Sequence, residues 1–146
     1  MNKKILEYTL VAVQFSTLGY LVLGSSWRTM PAWALIIVAI SASLAFWAIL
    51  SMQLNNLKVT PSPGENARLI TSGPYRIIRH PMYSSILLLA IPLVIHEFSL
   101  LRLFLAILLI IDLLIKLNYE ERLLLTKFSQ YKGYRSVTYR ILPFIY

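Results

Sequence analysis

An ordered string of side chains able to do chemistry interrupts the apolar runs of this chain: Gly73-Pro74-Tyr75-Arg76-Ile77-Ile78-Arg79-His80-Pro81-Met82-Tyr83. Further along, two adjacent carboxylates, Glu120-Glu121, follow another apolar run. The string combines guanidinium forks with aromatic rings. Where Pro81 opens a helix, it also offers exposed backbone N–H groups, and such groups receive carboxylates or phosphates. The glutamates carry the opposite sign and suit a cation or a set of hydroxyls. Taken singly, the arginines read as snorkelling side chains and the tyrosines as an interfacial belt. Helices that only cross lipid need neither the ordered string nor the carboxylate pair. Together they point to a small-molecule site at a membrane surface.

The elements that must position these groups are apolar helices. Of 146 residues, 58% are hydrophobic, and the mean hydropathy is +0.66. Four runs approach the ~20 residues that an α-helix needs to cross a bilayer: about 5–23, 31–54, 81–98 and 100–117. Helices are expected because backbone groups in lipid must be satisfied within each segment. The first run is too long for a signal-peptide core and reads as a span. The fold class is therefore all-α, a single domain over 1–146 built as an integral membrane bundle of four transmembrane helices.

Charge sets the expected orientation. Lys3 and Lys4 precede the first span. Lys58, Arg68, Arg76 and Arg79 lie between the second and third, and Lys116, Arg122, Lys127, Lys132, Arg135 and Arg140 end or follow the fourth. Only Arg28 and Arg102 fall on the other side. The positive-inside rule then puts both termini, the central loop and the 118–146 tail in the cytoplasm. It also gathers the His80 string and the glutamate pair at one membrane face. The net charge of +8 is accounted for by topology and anionic lipid, with no nucleic-acid partner. With no cysteine and only His80 and His96, no metal site is expected.

The fourth run should continue into water. At about 1.5 Å per residue, Leu100 to Phe128 measures roughly 43 Å. Asp112, Lys116 and Glu120 share one of its faces, and an Asp112–Lys116 pair would lower the cost of an acid in lipid. Small residues in the second run, Ala39 with Ser43 and Ser41 with Ala45, permit close helix packing. Pro92 should kink the third helix. The 55–72 connector, with Pro61, Pro63 and Gly64, reads as a surface loop with a short amphipathic turn near 65–70.

Arg79-His80-Pro81-Met82-Tyr83, then Glu120-Glu121, then Phe128 with Tyr131 and Tyr134, resembles the isoprenylcysteine carboxyl methyltransferase family, related to the phospholipid N-methyltransferases. The resemblance covers about residue 55 to the C-terminus. It implies an S-adenosylmethionine-dependent membrane methyltransferase acting on a lipophilic or lipidated acceptor. The cofactor pocket would lie at the cytoplasmic ends of the third and fourth spans, with Arg79, His80, Tyr83, Glu120 and Glu121 contributing to it. Lys116 stands where the family usually places a basic residue, most often arginine, facing the acceptor. Ser85 replaces a usual glycine, and the tail has Phe128-Ser129 and Val137-Thr138 where Phe-Gly and Val-Pro are usual. Tyr131, Tyr134, Tyr139 and Tyr146 either close the pocket or form an interfacial belt. Two rival classes remain at this stage, a nicotinamide-dependent sterol or enone reductase and a non-catalytic membrane scaffold. Oligomeric state is not legible.

Overall fold

A computed structural model describes residues 3–52, 60, 62–64 and 67–143. Five α-helices account for its regular structure: α1 Lys3–Leu23, α2 Ala32–Met52, α3 Pro81–His96, α4 Leu100–Lys127 and α5 Tyr131–Ser136. No strand is present among the described residues, only one isolated parallel bridge between Ile78 and Tyr139. The expected positions Asn55, Lys58, Pro61, Glu65 and Tyr146, and the last two residues of the second predicted run, lie outside the described residues.

Helix α2 packs chiefly on α3, and α1 on α4. The core includes Leu21, Ala34, Ala90, Leu93, Leu109 and Leu113. Around it the usual polarity is inverted. Leu23, Ile36, Phe46, Leu100 and Phe104 are exposed, whereas Gln14, Ser41, Arg102, Asp112, Lys116 and Glu121 are buried. That pattern suits a hydrocarbon surround, where the outer face gains nothing by hiding apolar surface. By length and composition α1 and α2 can each cross a membrane. The apolar α3, at 16 residues, is shorter than the expected third span. Helix α4 runs on as expected, through its charged last turns to Lys127.

One packing expectation changes. The buried face of α2 is Ala34, Ser41 and Ala48, two turns apart, and Ser41 Oγ donates to the Ser85 carbonyl oxygen at 2.7 Å. Ala39 and Ser43 face outward, because α2 has its main partner on one side only. At the connector the Ala67 N–H donates to the Gly64 carbonyl at 3.1 Å, and residues 67–70 carry no regular structure; residues 65–66 of the expected turn lie outside the described residues. Helix α3 continues through the buried Pro92.

At the end of the bundle away from His80, Arg102 ties three elements together. It donates to Ser25 Oγ (2.9 Å), the Leu93 carbonyl (3.1 Å), the Gly24 carbonyl and Glu97 Oε2 (2.5 Å). Glu97 also accepts from the Ser26 N–H at 2.7 Å. Arg102, counted above among the charges on the other side, is a buried staple.

Candidate functional site

The loop before α3 is built on Gly73. Its φ of 59° is left-handed, and a Cβ there would run into the Ser51 side chain and come within 3.2 Å of Trp47 Nε1. Only glycine tolerates both demands. Pro74 opens the short 3-10 turn Gly73–Arg76, and Pro81 occupies the first position of α3. Between them the chain pairs with the C-terminal segment. Tyr139 N–H donates to the Ile77 carbonyl (2.9 Å), Arg79 N–H to Tyr139 (2.8 Å) and His80 N–H to Arg140 (3.1 Å). Ser84 Oγ adds a bond to the Ile141 carbonyl at 2.6 Å. The N–H groups of Arg79 and His80 are thus occupied by the protein's own tail, and at the entrance of α3 the Tyr83 and Ser84 N–H groups donate to the His80 carbonyl.

Helix α4 delivers both glutamates, about 100° apart around its axis. Glu121 turns inward and is 2% exposed. Its Oε1 accepts from Arg79 Nε at 2.8 Å, and its Oε2 accepts from Arg140 Nη2 at 2.7 Å and Nε at 3.1 Å. Arg79 Nη1 is spent on the carbonyls of Arg135 (3.0 Å) and Thr138. Glu120 faces outward and is half-buried, its Oε2 accepting from Tyr83 Oη at 2.9 Å. His80 lies between the carboxylates, with Nδ1 3.6 Å from Glu120 and Nε2 3.6 Å from Glu121. Its ring stacks on Tyr83 at 5.4 Å. The structure therefore brings Arg79, His80, Tyr83, Glu120 and Glu121 into one cluster.

Burial alone would raise the Glu121 carboxyl, but His80, Arg140 and Arg79 outweigh it and hold it well below the usual range. Burial likewise opposes a charged His80, yet the two carboxylates outweigh it and raise its pKa above 6.5. Burial pushes Tyr75 and Tyr131 far up, and Tyr134 up to about 12, so these phenols stay protonated at neutral pH. The two ionic groups carry opposite pH signs. Stabilisation from Glu121 is present above pH 4.5 and is lost as pH falls through its lowered pKa. Stabilisation from His80 is full below pH 6.5 and is lost as pH rises through its raised pKa. Thermal unfolding in nanodiscs from about pH 5 to about pH 9 should show the advantage of wild type over His80→Asn shrinking toward the alkaline end. A constant difference across that range would show that His80 is neutral in the fold.

Two chambers adjoin at this cluster. The narrower, about 90 Å³, is walled by Tyr75, Leu124, Phe128, Tyr131, Tyr134 and the 67–70 segment. The hydroxyl of the buried Tyr131 has no hydrogen-bond partner among the described residues. The larger, about 310 Å³, has apolar walls of Phe15, Ile49, Met52, Met82 and Ile86, with Gln14, His80 and Tyr83 as polar members. Tyr75, Arg79 and Glu120 border both. Glu121 borders neither.

Lys116 stands apart from this arrangement. It is 1% exposed, borders neither chamber, and donates to Gln14 Oε1 at 2.5 Å. The expected contact with Asp112 is not made, and both Asp112 oxygens lack hydrogen-bond partners among the described residues. An ideal helix face brings the two residues near one another. The amide of α1, reaching across the α1–α4 seam, takes the ammonium instead. Gln14 was not singled out from the sequence and Arg140 only as a topology charge, since a glutamine in an apolar run and a tail arginine carry no local signal of a site.

A family model described as phospholipid methyltransferase matches residues 11–131. That range runs from within α1 to the first residue of α5 and includes the cluster and every helical residue walling the two chambers except Tyr134. No curated protein matches the chain.

Proposed function

The chain belongs to the phospholipid methyltransferase family, which includes the isoprenylcysteine carboxyl methyltransferases, and from that premise we propose that it is a multi-pass membrane enzyme that methylates a lipophilic or amphiphilic acceptor using S-adenosylmethionine. The observation that carries the reading is the meeting of an aromatic chamber and an apolar chamber at one carboxylate, Glu120. When bound, S-adenosylmethionine supplies an electrophilic methyl on a sulfonium cation.

The residues suit such a ligand. Glu120 favours a positive charge or accepts from hydroxyls and ammonium. Tyr75, Phe128 and Tyr134 offer ring faces to a nucleoside, and the orphaned Tyr131 hydroxyl can bond a polar group. The larger chamber suits the acceptor's apolar part, which enters from the bilayer between α1 and α2. Those two helices share few contacts, and both contribute chamber wall. The rate advantage comes from alignment of donor and acceptor and exclusion of water. A carboxylate acceptor needs no base, whereas an amine must first lose its proton. Lys116 acts through Gln14: with Oε1 committed to the ammonium, the amide N–H₂ is the group left for an acceptor oxygen. In this reading all four long helices are inserted, and the ends bearing Lys3, the Gly73 loop and the tail face the cytoplasm. A nicotinamide cofactor fits less well, because its pyrophosphate would meet Glu120.

Calorimetry of S-adenosylmethionine against the full chain in nanodiscs tests the proposal. Saturable binding competed by the demethylated product is the expected result. Folded protein that releases no binding heat would sink methyl transfer and leave the scaffold reading.

A further inference from the structure

Granting that reading, the two neighbouring glutamates divide the work. We propose that residues 128–143 form a strap that closes the narrower chamber, and that Glu121 is a positioning residue that latches this strap rather than a ligand of the cofactor. Both Glu121 oxygens are taken by protein cations, and the side chain borders neither chamber. One of those cations, Arg140, belongs to the strap itself. Another, Arg79, extends the latch by holding the strap carbonyls of Arg135 and Thr138.

The strap is built to open. Of its residues only Tyr131 and Ile141 are buried. Polar hooks hold the rest: the bridge at Tyr139, the Tyr134 hydroxyl on the Tyr75 carbonyl at 2.5 Å, Ser84 on Ile141, and Arg140 on Glu121. Segments with few buried apolar contacts open at low free energy. Opening is also required. The chamber walled by Tyr131 and Tyr134 holds about 90 Å³, against the ~300 Å³ or more of common ligand sites. A nucleoside enters it only if that wall moves, and the wall returns to seal the reacting atoms from water.

The test uses the full chain in nanodiscs, with Arg140→Gln and Glu121→Gln singly and together. Arg140 borders neither chamber, so a direct loss of a ligand contact cannot explain its effect. Each single variant should speed release of labelled S-adenosylmethionine about tenfold, and the double should add little, as expected for two ends of one link. Hydrogen exchange at the Arg79, His80 and Tyr139 amides should rise in parallel, and Arg140→Lys should recover most of the protection. Glu121→Gln weakening the cofactor with unchanged tail exchange would make Glu121 a ligand and overturn the latch. So would normal exchange and release in Arg140→Gln. A wild type that binds no cofactor would refute the functional reading, and the exchange arms would still decide whether Glu121 holds the tail.

Discussion

Glu120→Gln is expected to lower methyl transfer at least about a hundredfold, the scale on which removing one preorganised electrostatic contact acts. The substitution is close to isosteric and keeps an acceptor for the Tyr83 hydroxyl, which lies 2.9 Å away. What it removes is the negative charge at the junction of the two chambers. Glu121 cannot replace it, since Arg79 and Arg140 neutralise it in the interior. The loss should appear first in cofactor affinity. Tritiated-methyl transfer into a membrane lipid extract, together with calorimetry, gives both numbers. Cofactor affinity within about twofold of wild type, less than 0.5 kcal/mol, would remove Glu120 from the binding site.

Arg102→Ala should be the most destabilising single change, though it lies at the far end of the bundle. It deletes a buried cation and strips partners from the Gly24 and Leu93 carbonyls, Ser25 Oγ and Glu97. Each buried carbonyl or hydroxyl left without its donor costs about 1–3 kcal/mol. For a domain of this size their sum is a fall of roughly 10 °C or more in Tm. Cofactor affinity at a temperature where the variant remains folded should match wild type. A Tm shift of only about 2 °C would mean that Arg102 reaches water in the membrane and that the staple is weak.

The helices and the cluster were legible in the sequence for different reasons. Apolar runs bounded by Pro31, Pro81 and Ser99 mark helix starts closely, and the charged last turns of α4 were visible as a run beyond the expected span. The string before α3 and the glutamate pair meet because an ordered motif preserves a three-dimensional arrangement that local periodicity does not encode. The division between Glu120 and Glu121 was not legible, because it depends on Arg140 returning from the tail to one of them. The packing face of α2 was equally hidden. A helix apolar all round has no moment to read, so Ala34–Ser41–Ala48 and Ala39–Ser43 look alike until a neighbour is placed. Lys116 was assigned to the acceptor by resemblance, and the helix geometry that suggested Asp112 as its partner could not foresee Gln14.

The parallel bridge between Ile78 and Tyr139 has a consequence for biogenesis. A ribosome delivers the amino-terminal part first, so α1, α2 and the loop before α3 are made well before residue 139 is joined to the chain. Until the distal segment emerges, the Arg79 and His80 amides lack their backbone acceptors and the Glu121 carboxylate lacks Arg140. A nascent polypeptide arrested just after α4 would hold both glutamates in an unfinished pocket. The cluster is then completed only as a last step of synthesis, and a product truncated before residue 139 would carry both glutamates without the pairing that assembles them.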